Sequence, residues 1–211
     1  MLHVVDDELD IQEALSWIAK SKKMKCTTYS SGEELLEALN IPERGEPVGL
    51  APDQLSKVNF DSDGDCIILD IRMAGISGIA TFDILVNRKL CKRLPVIFIT
   101  GHGEVSMAVE ALKRGAFDFF EKPFNDNALF EQVDLAFKLS RKEAELSLVY
   151  KRFSKLTNRE REILNLILVG KMNKVIADNL GISMRTVEVH RANILDKMEV
   201  KTAIELATII R

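Results

Sequence analysis

Cysteine is scarce in this chain. Cys26, Cys66 and Cys91 are an odd three, with neither paired spacing nor the clustered spacing of a metal site. Reduced, buried thiols in a cytoplasmic protein are the simplest account. No apolar run approaches the length of a membrane-spanning helix. The opening, Met1-Leu-His-Val-Val-Asp-Asp7, has no basic flank and turns acidic at once, so no secretory signal is expected. A strong excess of one charge is also missing. The net charge of −3 argues neither for nor against nucleic acid, but its distribution is informative. Residues 157–211 hold 9 Lys+Arg against 7 Asp+Glu, and the remainder carries a net −5. An acidic front and a mildly basic back imply two parts with different partners. With 46% hydrophobic and 29% charged residues over 211 positions, there is material for one large core or two small ones.

The stretch that organises the chain is Cys66-Ile-Ile-Leu-Asp70. Its apolar run reads as a strand buried on both faces, and it ends abruptly in a carboxylate. Residues 2–5 read the same way and end in Asp6-Asp7-Glu8; Leu94 to Thr100 is another such strand. Lys25 to Tyr29 and Ala116 to Glu121 complete five strands, the last followed by Lys122-Pro123. Helices are predicted over Asp10–Lys20, Ser31–Leu39, Gly78–Leu90, Glu104–Arg114 and Asp126 to about Leu139. Five strands alternating with five helices imply an α/β, doubly wound parallel sheet over residues 1–139. Right-handed crossovers then gather Asp6, Asp7, Asp70, Thr100 and Lys122 at one edge. Between Asp7 and Asp70 the chain advances 63 residues, where about 45 would do for the intervening elements. The surplus, about 40–65, is rich in Pro and Gly, with room for a short extra helix over Leu50–Val58.

Residues 140–155 are charged and helix-prone, and read as a helical linker. Thr157-Asn-Arg-Glu160 is a capping box opening a second, all-α domain of four helices over 156–211. Its second and third helices, joined by Gly181-Ile-Ser183, have the shape of a helix-turn-helix. On the third, Val187, Ile194 and Leu195 would face the core, with Arg185, Glu188, Arg191 and Ala192 outside or at the edge.

Three carboxylates about one point, Asp6, Asp7 and Asp70, would repel one another unless a hard cation such as Mg²⁺ joined them. Asp70 can then act as a nucleophile toward a phosphoryl group, with Lys122 and Thr100 supplying positive charge and a hydroxyl donor.

These residues resemble a two-component receiver domain, with Asp6-Asp7, phosphoacceptor Asp70, Thr100 and Lys122-Pro123 in place and Phe119, three residues before the lysine, at the family's aromatic switch position. Phe98-Ile-Thr-Gly-His102 and Gly115-Ala-Phe-Asp-Phe-Phe-Glu-Lys-Pro-Phe124 resemble the FixJ-like branch. Ala74 departs from the family's usual proline, and the 40–65 expansion is unusual. Leu156-Thr-Asn-Arg-Glu-Arg-Glu162 and Gly181-Ile-Ser-Met-Arg-Thr-Val-Glu-Val-His-Arg191 resemble the LuxR-type DNA-binding domain. The resemblance implies a flavodoxin-like fold for the first part, and Mg²⁺ held by Asp6, Asp7, Asp70 and the Arg72 backbone carbonyl. It implies a sensor histidine kinase, promoter DNA and RNA polymerase as partners, no membrane, and a phosphorylation-promoted homodimer formed through the last helix. Lys174, Arg185, His190 and Arg191 are then candidates for phosphate contact, though Arg191 could reach a guanine, and Glu188, Val189 and Ala192 for base edges, with Thr186 also in the DNA-binding set. Two other readings compete: an aspartate-dependent Mg²⁺ phosphatase, and a simple phosphate sink. The phosphatase typically needs an acid two positions beyond its nucleophile, where this chain has Arg72.

Overall fold

The computed structural model describes residues 1–43, 52–55, 57–101 and 105–210. The chain divides into two compact units, Met1–Ala144 and Glu145–Arg211.

In the first unit, five parallel strands stand in the order β2-β1-β3-β4-β5. They are β1 (Leu2–Val5), β2 (Cys26–Tyr29), β3 (Cys66–Asp70), β4 (Val96–Thr100) and β5 (Asp118–Glu121). The sheet register pairs Val5 with Leu69, Asp70 with Ile99, and Thr100 with Glu121, so neighbouring strand ends finish within one residue of each other. Helices α1 (Leu9–Ser21), α2 (Gly32–Ala38), α4 (Gly78–Asn87) and α5 (Val105–Lys113) alternate with the strands. Strand alternation splits the buried residues into two layers. Val5, Ile67, Leu69, Val96 and Phe98 face one core with Leu35, Leu36, Phe82, Leu85 and Ala108 from α2, α4 and α5. Leu2, Val4, Ile68, Ile97 and Ile99 face the other, with Leu15 and Ala19 from α1 and Leu129, Phe130 and Val133 from α6 (Asp126–Ser154). Both faces being covered explains why β1, β3 and β4 are buried at every position.

The expansion contains α3 (Pro52–Leu55), within the short helix expected over Leu50–Val58; residues 44–51 and 56 lie outside the described part. The segment is tied back at both ends. Arg88 donates to the Pro42 carbonyl at 3.2 Å, the Asn59 amide donates to the Leu39 carbonyl at 3.1 Å, and Val58 enters the core.

Two sequence expectations need correction. The fifth helix does not end near Leu139; α6 is one 29-residue helix that runs on through most of the stretch read as a helical linker. No Gly or Pro interrupts it, and its charged middle is made of good helix formers. Strand β5 begins at Asp118 rather than Ala116, because Ala116 still closes the turn after α5 with its amide on the Ala111 carbonyl at 3.0 Å.

The second unit packs α7 (Asn158–Leu168), α8 (Asn173–Leu180), α9 (Met184–Met198) and α10 (Ala203–Ile210) around Ile163, Leu164, Ile176, Val187, Ile194, Met198 and Leu206. Its helix ends follow local chemistry. The Thr157 capping box opens α7, Gly181 closes α8 at φ 62°, and the Ser183 hydroxyl accepts from the Thr186 amide to open α9.

Candidate functional site

Asp6 follows β1, Asp70 ends β3 and Lys122 follows β5, and the fold brings their side chains into contact. The Lys122 ammonium lies 2.9 Å from Asp70 Oδ1 and donates to Asp6 Oδ2 at 3.0 Å and Glu8 Oε1 at 3.3 Å. Asp6 Oδ1 accepts from the Glu8 amide at 2.8 Å, and Asp70 Oδ2 accepts from the Arg72 amide at 2.8 Å. Burial, against the pull of Lys122 and with a push from Asp6, leaves the Asp70 carboxyl raised to about 6. Asp6 is likewise raised, chiefly by burial. Lys122 runs the other way: burial would lower it, but the hydrogen bonds it donates to Asp70 and Asp6 hold it above the ordinary lysine value. Such a site holds more negative charge than one ammonium neutralises.

Asp7 makes a different contact from Asp6 and Asp70. It is exposed, and its Oδ2 accepts from the Ala74 amide at 3.1 Å, while Lys122 bridges the other two. Among the described residues no three carboxylate, imidazole or thiol groups stand together as a metal shell. The donors gathered here are nonetheless all oxygens with excess negative charge, which is the chemistry Mg²⁺ selects.

Thr100 is fully buried at the end of β4. It continues the alternation of Val96 and Phe98, and Phe119, paired with Phe98, packs against that same core. The hydroxyl and the aromatic ring therefore share one face of the sheet.

Sequence reasoning missed three contributors. Glu8 adds a third carboxylate to Lys122. Gly78 lets α4 begin directly under the nucleophile: a Cβ there would lie 1.9 Å from the Asp70 carbonyl oxygen. Glu33, on α2, accepts from the Ile76 amide at 2.8 Å. Only Gly78, a glycine at a helix start, carried a local signal.

In the second unit, Arg185, Glu188, Val189 and Ala192 are exposed on α9 at positions i, i+3, i+4 and i+7, one face of the helix. Lys174 is exposed near the start of α8. Thr186 is exposed, but its hydroxyl is engaged with Ser183 Oγ at 2.8 Å in the helix cap. Arg191 and His190 are half-buried at the edge, and His190 Nδ1 is buried without a partner.

Glu160 stands behind this helix. It is buried, receives Lys197 of α9 at 2.6 and 2.8 Å, and accepts from the Thr157 amide at 2.8 Å. Burial pushes its carboxyl up, but Lys197 and Thr157 together leave it below the ordinary value. The unfolded chain takes that proton more readily. The stabilisation is therefore complete above the ordinary glutamate pKa of about 4.3, and is lost as pH falls through the lower folded value. Glu160→Gln should cost about 1–2 kcal/mol at pH 7 in urea unfolding, and the gap to wild type should close below about pH 4. A gap independent of pH would exclude the ion pair as its source.

A carboxylate–lysine site at the C-terminal edge of such a sheet, on one chain with a helix-turn-helix unit, is the build of a two-component response regulator. Residues 51–134 match the response regulator receiver domain family, and residues 154–210 match the LuxR family of bacterial regulatory proteins. The chain is 39% identical to the C4-dicarboxylate transport transcriptional regulatory protein DctR of Rhodobacter capsulatus, over 98% of this chain and 96% of that protein. It is 36% identical to the transcriptional regulatory protein FixJ of Rhizobium meliloti, over 95% and 90%. Among solved structures, response regulator StyR aligns with a TM-score of 0.65 at 32% identity, over 99% of this chain and 96% of that one. Full-length FixJ from B. japonicum aligns at 0.52 and 30%, over 99% and 94%. The chain belongs to the FixJ-like response regulators, which join a receiver to a LuxR-type DNA-binding domain. It is a transcription regulator, and the phosphatase reading is not favoured. Among the described residues no helix is long and apolar enough to cross a membrane.

Proposed function

We propose that Asp70 accepts a phosphoryl group from a sensor histidine kinase, and that this controls dimerisation and promoter binding. The observation that carries the reading is the contact of Lys122 with Asp70 and Asp6 at the strand ends. In this reading an Asp70 carboxylate oxygen attacks the phosphorus, an O–P bond forms, and the N–P bond to the kinase imidazole breaks. The Lys122 ammonium pairs with a phosphoryl oxygen, and the Thr100 hydroxyl donates to another. Asp6, Asp7, Asp70 and the Arg72 carbonyl would hold Mg²⁺, which when bound neutralises the gathered charge. Movement of Thr100 opens room on the face it shares with Phe119, and the ring fills it, altering the surface of α5 and β5. The boundaries proposed for the working parts are receiver 1–139, linker 140–155 and DNA-binding domain 156–211. A cytoplasmic location follows from partners of this kind. RNA polymerase is a further proposed contact.

On α9, Glu188, Val189 and Ala192 are proposed to reach base edges, with Arg185, His190 and Arg191, and Lys174 of α8, on phosphates and Thr186 as a further DNA-facing residue. Helix α10 exposes Ile204 at 81%, and a twofold pair formed through it would read an inverted repeat.

The test uses acetyl phosphate with Mg²⁺. One phosphoryl group should be added by intact mass, and the dimer fraction and DNA affinity should rise together; no incorporation would overturn the reading. On DNA, Lys174→Ala should weaken binding to all sequences and reduce the salt slope by about one. Glu188→Ala should relax preference at one base pair, at roughly 1–3 kcal/mol of discrimination. An unchanged preferred site in Glu188→Ala, with an altered one in Lys174→Ala, would reverse these roles.

A further inference from the structure

The loop from Ile71 to Ser77 joins the nucleophile's strand to α4, and two carboxylates from other elements grip its backbone. Asp7 takes the Ala74 amide at 3.1 Å, a donor that proline at this position would lack. Glu33 takes the Ile76 amide at 2.8 Å. Between them Gly75 turns at φ 78°, and a Cβ there would press within 2.8 Å of Glu33 Oε1. The Glu33 carboxylate sits on a firm base. It lies in the first turn of α2, opened by the Ser31 cap, and α2 closes on α4 so tightly that a Cβ on Gly32 would meet Thr81 Oγ1 at 1.9 Å. Its own helix-terminal amide, chiefly, and the Ile76 amide hold the Glu33 carboxyl below the ordinary glutamate value. The group is thus a ready acceptor. Its second oxygen is buried without a partner, so the hydrogen bond from the Ile76 amide ties this side chain to the loop.

The same loop carries Arg72, whose amide bonds Asp70 Oδ2 at 2.8 Å. From these contacts we infer that Glu33 is a positioning residue for phosphoryl acceptance: by gripping the Ile76 amide from α2, it holds the Arg72 backbone in place beside Asp70. The inference rests on the proposed function, in which the Arg72 carbonyl is a Mg²⁺ ligand. Glu33 touches neither the cation nor the phosphoryl group; it acts through the loop.

The experiment compares wild type, Glu33→Ala and Glu33→Gln by Mg²⁺ titration calorimetry, alongside amide hydrogen exchange at Ile76. Glu33→Ala should weaken Mg²⁺ about tenfold, the range seen when a supporting partner of a metal ligand is lost. Glu33→Gln keeps a carbonyl acceptor for the Ile76 amide and should restore affinity to within about threefold of wild type. Coupling is reciprocal, so saturating Mg²⁺ should slow exchange of the Ile76 amide in the wild-type chain. That arm needs no variant and decides the matter even if Glu33→Ala does not fold. Unchanged affinity in Glu33→Ala, no rescue by Glu33→Gln, or Ile76 exchange indifferent to Mg²⁺ would overturn the inference. In each of those cases normal phosphorylation of wild type by acetyl phosphate leaves the proposed function standing. A wild type that neither binds Mg²⁺ nor takes the phosphoryl group overturns both.

Discussion

Asp70→Asn should abolish phosphoryl incorporation from acetyl phosphate while leaving the fold intact. The amide lacks the nucleophilic oxygen pair, and the neighbouring acids Asp6 and Asp7 are engaged by other groups. Asp6 has one oxygen on the Glu8 amide and the other on Lys122, and Asp7 is turned to the Ala74 amide. Lys122 keeps Asp6 and Glu8 after the change, so no ammonium is stranded. The Arg72 amide keeps an acceptor in the Asn side-chain oxygen. Intact mass after incubation with Mg²⁺ is the measurement. Labelling of the Asn variant at the wild-type level would place the chemistry on another residue.

Asp65→Ala should produce the largest loss of stability in the receiver unit, far from the phosphorylation site. Asp65 precedes β3 at the opposite end of the sheet, and its side chain is fully buried. One oxygen lies 3.2 Å from His3 Nε2, and the other 3.3 Å from Arg93 Nη1. Its backbone amide donates to Ser140 Oγ of α6 at 2.9 Å, and Ser140 in turn donates to the Arg93 carbonyl at 2.6 Å. Removing the carboxylate leaves a guanidinium only 13% exposed facing a nearly buried imidazole, with its counter-charge gone. Losing one partner of a buried pair costs about 3–5 kcal/mol, because the other charge stays behind desolvated. Arg93 retains the Asp61 carbonyl at 2.8 Å and the ring of Phe60 at 4.6 Å, which favours the lower end of that range. In a unit of this size the melting temperature should fall by about 10 °C. A loss under about 1 kcal/mol in urea unfolding would mean that water enters and solvates the pair.

The two sites differ in how far sequence could reveal them. Asp6, Asp70, Thr100 and Lys122 announce themselves, since each stands where an apolar run stops. A polar residue at a strand end in a parallel sheet is carried to the ligand-binding edge by the fold's handedness alone. Asp65 carries no comparable mark. It lies in a polar, Asp-rich stretch, and nothing near it tells a buried acid from a solvated one. Its partners His3 and Ser140 are 62 and 75 residues away. Glu33 was equally silent: within Ser31-Gly-Glu-Glu34 it reads as one of two acids opening a helix, and its partner Ile76 lies 43 positions further on.

Sequence by itself therefore determined what depends on neighbours a few residues apart: the strands, the caps at Ser31, Thr157 and Ser183, the stop at Gly181, and the outward face of α9. Backbone hydrogen bonding and side-chain periodicity act over one turn or one strand, and they leave their pattern in consecutive letters. Tertiary structure decided which charge meets which. It set Lys122 between Asp6 and Asp70 across 116 positions, paired Asp7 with the Ala74 amide, carried α6 on through the expected helical linker, and buried Asp65 against Arg93. Those pairings follow from the distance between strand ends and helix faces once both cores have closed. Electrostatic partners are chosen by proximity and burial in space, and neither quantity is written along the chain.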